Sequence, residues 1–200
     1  MNSRFLPRIA VGAMGALLLG SSVTTADDVT DSIEEALEAY KDKDYVMATQ
    51  ALETAVQMIK QKKGESLAAL LPEPPDGWEA DEAESQAAGA AMFGGAVTAE
   101  RVYRKGEAEV SVKYVTDSPM LQGIMMMLGN PMFASANGGK LIRLNSQRAI
   151  LEHDKDEQSG SLQFTINNVL LVQIEGEGVS ADDLKIFGEA VPVDKVAGVL

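Results

Sequence analysis

The spacing of apolar residues changes once along this chain, and this change constrains the fold more than any other feature. Between residues 27 and 63 the apolar residues recur every three or four positions, which is typical of amphipathic helices. From Thr98 onward they recur at every second position, as in half-buried strands. The pattern predicts an α+β protein, in which an N-terminal helical hairpin precedes a mostly antiparallel sheet of about six strands with helices on one face.

A proline-rich break divides the two patterns. The segment Pro72-Glu73-Pro74-Pro75-Asp76-Gly77 is typical of a stiff linker. We therefore assign the hairpin to residues 27–71, a Pro/Gly/Ala-rich linker and loop to residues 72–97, and the α+β domain to residues 98–200. Within the hairpin, Gly64 is expected to end the second helix, after three lysines that favour a helix C-terminus.

The first 26 residues have the features of a secretory signal peptide. Arg4 and Arg8 give a positive start, Ile9 to Leu19 form an apolar run, and Thr24 and Ala26 are small residues before a cleavage point. The run is too short for a transmembrane helix. We expect an exported, periplasmic protein that is cleaved near Ala26 and has no membrane span in its mature chain.

Charge and cysteine content exclude several function classes. The full chain has a net charge of −13, and cleavage after Ala26 makes it −15 because two arginines and no acid leave. Such an acidic protein repels phosphate backbones, which argues against a nucleic-acid partner. Since the chain contains no cysteine, it has no thiol nucleophile and no thiolate metal site. We expect no cofactor.

The helical hairpin resembles one tetratricopeptide unit. The match rests on small and large packing positions in the order of that family, namely Ala36, Asp44-Tyr45, Ala48, Leu52 and Ala55. The resemblance implies either a docking module for another protein or a hairpin that packs on the rest of the chain. The candidate partner contacts on its outer face are Gln50, Glu53 and Gln57.

The region after the hairpin is similar to uncharacterised exported proteins of proteobacteria. The shared residues are Leu71-Pro72, Gly77-Trp78, Arg101 to Tyr103 and Asp117-Ser118-Pro119. This resemblance implies the compartment and the domain boundary, and it implies no activity.

A methionine-rich helix is the candidate metal site. Thioethers bind Cu(I), and the candidate ligands are Met120, Met125, Met126 and Met127. Methionines at helical spacing also serve as core filler or as a contact surface, and both alternatives stay open.

Two further features suggest chemistry more weakly. His153 is the one imidazole of the chain and could act as a general base, although its strand parity with Leu151 favours a half-buried structural role. The segment Asp154 to Gly160 loosely resembles a calcium loop, and a polar hairpin turn explains the same residues more simply.

Together these observations predict a non-enzymatic periplasmic protein, namely a protein-interaction or adaptor module of the bacterial envelope. The alternative is a periplasmic metal or small-ligand binding protein that uses the methionine helix or the Asp154–Gly160 turn.

Overall fold

The computed structural model describes residues 27–87, 95–118, 121–129 and 139–200, so the predicted signal peptide lies outside the described part of the chain. These ranges contain five helices: α1 (Asp28–Lys41), α2 (Tyr45–Ala68), α3 (Leu121–Gly129), α4 (Ala181–Ala190) and α5 (Val193–Ala197). They also contain eight strands: β1 (Glu79–Ala80), β2 (Glu84–Ala87), β3 (Val97–Lys105), β4 (Ala108–Thr116), β5 (Lys140–Leu144), β6 (Gln147–Asp154), β7 (Ser159–Ile166) and β8 (Leu170–Glu177).

Helices α1 and α2 form the predicted hairpin. Aspartate side chains cap both N-termini: Asp27 accepts from the amide of Val29, and Asp44 accepts from the amide of Met47 at 3.0 Å. The two helices meet through small buried side chains, which allow their backbones to approach closely. These residues are Ser32 and Ala36 on α1 and Ala48, Ala51 and Ala55 on α2.

The prediction that Gly64 ends the second helix is wrong, since α2 continues to Ala68. Gly64 is buried inside the helix, and a Cβ atom added to it would lie 3.3 Å from Ser85 on β2 and 3.3 Å from Val97 on β3. The glycine therefore serves close packing of α2 on the sheet rather than a helix stop.

The sheet is antiparallel throughout and has the order β1-β3-β4-β8-β7-β6-β5, with β2 also paired to β3. Strands β3 to β8 are the six that the alternating pattern predicts. The other two, β1 and β2, lie within residues 72–97, which the sequence assigned to a linker and loop. Gly106 has φ 63° in the β3–β4 turn, a conformation that glycine adopts without strain.

The main core lies on one face of the sheet, beneath the end of α2 and beneath α4 and α5. Trp78, Tyr103 and Phe187 stack at its centre, with ring centroids 5.0 Å apart between Trp78 and Phe187 and 4.8 Å apart between Tyr103 and Phe187. Because Leu67, Leu71 and Trp78 belong to the same core as the sheet, one hydrophobic core crosses the expected boundary near Trp78.

Helix α3 lies on the opposite face of the sheet. Its Leu121 packs with Leu171 and Ile150 in a second, smaller cluster. Leu171 belongs to an apolar run, residues 169–172, whose two faces are both apolar, so a helix is needed on each side. The prediction of helices on one face therefore holds for the end of α2 and for α4 and α5, and α3 departs from it.

Candidate functional site

The hairpin exposes large apolar side chains that a soluble protein normally buries. Nine of them are between 46% and 71% exposed. Seven of the nine share one side of the hairpin, and we call this set the apolar face: Ile33, Leu37, Tyr40, Tyr45, Leu52, Val56 and Ile59. The other two are Val46 and Met47. The sequence pattern includes most of these residues as helical apolar positions. The structure shows that the small residues of the pattern face the other helix and the large ones face outward.

All seven side chains lie on the same side of the hairpin. Each of the seven lies at one of three sequence distances from a buried interface residue: three residues before it, one residue after it, or four residues after it. For example, Leu37 follows Ala36, Leu52 follows Ala51 and Val56 follows Ala55. In two antiparallel right-handed helices, equal offsets from the interface turn side chains towards the same side of the pair. The contact between Tyr40 and Tyr45, whose ring centroids are 5.9 Å apart, shows this at the turn.

The sheet leaves this surface uncovered. Among the described elements, α1 packs extensively on α2 and has no comparable contact with a strand, and α2 reaches β2 and β3 through its C-terminal part. There Gly64 and Leu67 are buried, and Lys60 donates to the carbonyl of Gly95 at 3.0 Å. Lys63 forms an ion pair with Asp117 at 3.0 Å. The hairpin is thus attached at one end and projects at the other.

Two buried tyrosines of the sheet fix that attachment. The hydroxyl of Tyr103 donates to the carbonyl of Pro72 at 2.6 Å, and the hydroxyl of Tyr114 donates to the carbonyl of Leu70 at 3.1 Å. Burial raises the pKa of Tyr103 to about 12 and also raises the pKa of Tyr114. Both hydroxyls therefore remain protonated donors to the chain that leaves α2.

The predicted partner contacts border the apolar face. Gln50, Glu53 and Gln57 lie on α2 and line a shallow open depression together with Leu52 and Val56. Gln50 and Glu53 are exposed, and Gln57 is half-buried. The arrangement of apolar centre and polar edge is that of many protein–protein interfaces. The assignment of these three residues to a partner stays a prediction.

The structure does not bring the methionines together within the part that it describes. Met125 is half-buried, and Met126, its neighbour on α3, is 74% exposed. Adjacent residues on a helix point about 100° apart. Met120 and the side chain of Met127 lie outside the described residues, so metal binding at this helix stays a prediction.

His153 connects strand β6 to the segment before α4. Its Nε2 donates to the carbonyl of Val179 at 2.9 Å, and the ring is half-buried. The nearby Ser180 hydroxyl donates to Asp183 at 2.5 Å and accepts from the Asp183 amide, so it caps α4. These bonds are those of a structural histidine and a helix cap, and the serine is not oriented by the imidazole.

The Asp154–Gly160 segment forms the turn between β6 and β7. Asp154 accepts from the amides of Asp156 and Glu157 at 2.8 and 3.2 Å, and these bonds lower the pKa of Asp154. Across the described residues, no three His, Cys, Asp or Glu side chains are grouped so that they could hold a metal ion. The turn geometry accounts for Asp154, and calcium binding stays a prediction.

Comparison with known proteins adds no relative. No protein-family model, curated protein or solved structure matches this chain. In the described ranges, no helix combines the length and the apolar character that crossing a membrane requires.

Proposed function

We propose that this protein is a non-enzymatic, periplasmic interaction module of the bacterial envelope, which binds another envelope protein through its N-terminal hairpin. The observation that carries the proposal is the uncovered apolar face. A hairpin that merely packed on the rest of the chain would turn these seven side chains towards the sheet, whereas they are about half exposed. Contiguous exposed apolar surface on a soluble protein is typical of an interaction site.

The attachment of the hairpin supports the same proposal. Because α2 is held at its C-terminal end by the bonds of Lys60 and Lys63 and by the two tyrosines, the projecting end has a defined position relative to the sheet. A surface that is held in place before binding loses less conformational entropy when a partner docks. The predicted contacts Gln50, Glu53 and Gln57 would then form the polar rim of the interface.

Site-specific photo-crosslinking in the native host tests the proposal. A photoreactive residue at Glu53 is expected to trap a distinct partner, and the same residue at Glu189, an exposed position on α4, serves as the matched control. The combined substitution Gln50→Ala, Glu53→Lys and Gln57→Ala is expected to reduce affinity capture of that partner at least tenfold, since rim contacts and charge complementarity are lost. Equal crosslinking from both positions, or undiminished capture by the triple variant, would refute the proposal.

A further inference from the structure

Helix α2 carries two adjacent heptad seams, and within the described part of the chain only one of them has a helix beside it. A seam is a row of residues spaced alternately three and four positions apart, the pattern by which helices pack side by side. The first seam, Ala48, Ala51, Ala55 and Met58, faces α1, where Ser32 contacts the sulfur of Met58 at 4.0 Å. The second consists of Tyr45, Thr49, Leu52, Val56 and Ile59, and its four large apolar members belong to the apolar face.

Helix α1 has the same arrangement. Its buried Ser32 and Ala36 face α2, and the row Ile33, Leu37 and Tyr40 points to the open side. Two helices with two seams each are half of a four-helix bundle, in which every helix has two neighbours. The missing half is a second pair of antiparallel helices.

The size of the apolar face suits a stable interface. Large side chains present on the order of 200 Å² when fully exposed, so seven at about half exposure give roughly 700 Å² per copy. A stable protein–protein interface buries about 800 Å² on each partner. The apolar face therefore lies within the range of about 600–1,000 Å² per partner that such interfaces span.

The charges of the hairpin favour a partner with the same surface. Counted from the buried residues Ser32, Ala36, Ala48, Ala51 and Ala55, the positions that define the apolar face carry no charge, and Val29 and Thr49 complete this set. Lys62, four residues after the half-buried Met58, lies at the end of the set and forms an ion pair with Asp27 at 3.5 Å. The acids of α1 lie at other offsets, as shown by Asp31, Glu34, Glu35 and Glu38. An uncharged apolar face is self-complementary, and two copies can meet there without placing acid against acid.

We infer that a second copy of this chain covers the apolar face, so that two hairpins form a four-helix bundle and the protein is a homodimer. The inference rests on the proposed function in one respect, namely that the hairpin is a docking element. In this dimer the apolar face binds the second copy, and a different envelope protein docks on the rim residues Gln50, Glu53 and Gln57, which stay at the outer edge of the bundle.

Sedimentation equilibrium tests the inference with three single substitutions. Protein expressed from the full sequence and purified, with its amino terminus established by mass spectrometry, is expected to have twice the monomer mass at micromolar concentration. Leu37→Glu and Leu52→Glu are each expected to raise the dissociation constant at least 100-fold, because twofold symmetry buries the new charge twice. The matched control Val46→Glu adds the same charge to α2 at a residue that is 71% exposed and lies off the apolar face. It is expected to change the constant less than threefold.

Salt gives a second, independent readout. Each mature copy has a net charge of −15, so two copies repel each other at low ionic strength and the dimer should tighten when salt is raised from about 50 to 500 mM. A complex with a basic partner would weaken over the same range. Dimerisation that weakens with salt would overturn the apolar, self-complementary interface.

Folding and alternative occupants are controlled in the same samples. Circular dichroism and Trp78 fluorescence are expected to be unchanged in all three variants, since Leu37, Leu52 and Val46 lie far from the Trp78 core. A wild-type protein that stays monomeric at 100-fold higher concentration overturns the inference. A protein that retains residues 1–26 and is monomeric also overturns the inference. A dimer that persists when Leu37→Glu and Leu52→Glu are combined in one chain overturns it as well.

The experiments distinguish a failure of the homodimer from a failure of the proposed function. A monomer that still crosslinks a partner from Glu53 leaves the proposed function standing and removes the homodimer. A dimer that dissociates on Leu52→Glu but traps no other protein leaves the homodimer standing and removes the proposed function.

Discussion

At the scale of one residue, Tyr103 anchors the proline-rich segment to the sheet, which the prolines alone cannot do. The segment Pro72 to Gly77 fixes local backbone directions, but the hydroxyl of Tyr103 holds the start of that segment against the sheet through the carbonyl of Pro72. The ring also packs against Phe187 in the core. The side chain therefore joins the start of the linker to α4.

Replacing Tyr103 by phenylalanine should lower the free energy of unfolding by about 1–2 kcal/mol, because a buried carbonyl loses its best donor. Urea unfolding at pH 7 measures this, with Tyr40→Phe as the control at a 63% exposed ring. No loss of stability in Tyr103→Phe relative to Tyr40→Phe would show that the bond to Pro72 contributes nothing.

The same hydroxyl predicts an alkaline loss of stability. The pKa of Tyr103 is raised to about 12 in the folded state, above the value of about 10 in the unfolded chain. Its contribution is therefore complete below pH 10 and is lost as the pH rises towards 12. The free energy of unfolding, measured in urea between pH 9 and 11.5, should fall less steeply in Tyr103→Phe than in the wild type. Equal slopes would contradict the raised pKa.

At the scale of one element, α4 shows how a short helix is started. Ser180 and Asp183 form a reciprocal capping box, in which each side chain accepts from the backbone amide of the other residue. The hydrogen bond from the Ser180 hydroxyl also lowers the pKa of Asp183. The cap orients a helix whose Leu184 and Phe187 are fully buried against the sheet.

Ser180→Ala should lower the free energy of unfolding by about 1 kcal/mol, since the Asp183 amide loses its acceptor. Ser180→Thr retains a capping hydroxyl and should cost much less. Thermal or urea unfolding of the two variants measures the difference, and equal values would show that the hydroxyl does not stabilise α4.

Because the pKa of Asp183 is lowered on folding, the contribution of Asp183 to stability is present at neutral pH and lost as the pH falls below about 4.

The periodicity of the sequence predicts which segments form helices and strands better than it predicts how those helices and strands pack together. Strands β3 to β8 and the hairpin follow from local patterns. Gly64 was misjudged because a glycine that ends a helix and one that admits a neighbouring strand look identical in sequence. Strands β1 and β2 are too short to show alternation, since pairing with β3 defines them.

The sequence predicts only the polar edge of the candidate site. The sequence singles out Gln50, Glu53 and Gln57 as outer residues, but it treats the large apolar residues beside them as packing positions. The signal that could have located the apolar face is the alternation of small and large residues. Ala36 is followed by Leu37 and Ala51 by Leu52, and a close helix pair buries the alanines and leaves the leucines outside.

At the scale of the whole molecule, the hairpin and the sheet differ in how many neighbouring elements each helix or strand packs against. Strands β4 and β8 lie at the centre of the sheet with neighbours on both sides and fully buried inner residues such as Val112 and Val172. Helix α1 has one extensive neighbour. Local opening should therefore cost most free energy in the central strands and least in α1.

Hydrogen exchange should show this difference directly. Amides of β4 and β8 are expected to exchange slowest, and those of α1 at least 100-fold faster in a dilute, monomeric sample. If two hairpins pair, the protection of α1 should rise with protein concentration, whereas that of β4 should stay constant. The monomeric variant Leu52→Glu is the control, since its α1 should exchange fast at every concentration. Slow, concentration-independent exchange in α1 of that variant would contradict this account.

The place of β8 beside β4 also sets an order of events during synthesis. The hairpin needs only contacts between residues close in sequence, so it can form as soon as its own 24-residue second helix has been made. The centre of the sheet has to wait, because β4 ends at Thr116 and the strand that joins it begins at Leu170. Until then β3 and β4 lack the partner that connects them to the rest of the sheet. A chain that stops between the end of α2 and Leu170 would therefore keep the hairpin and lose the strand that joins the two halves of the sheet.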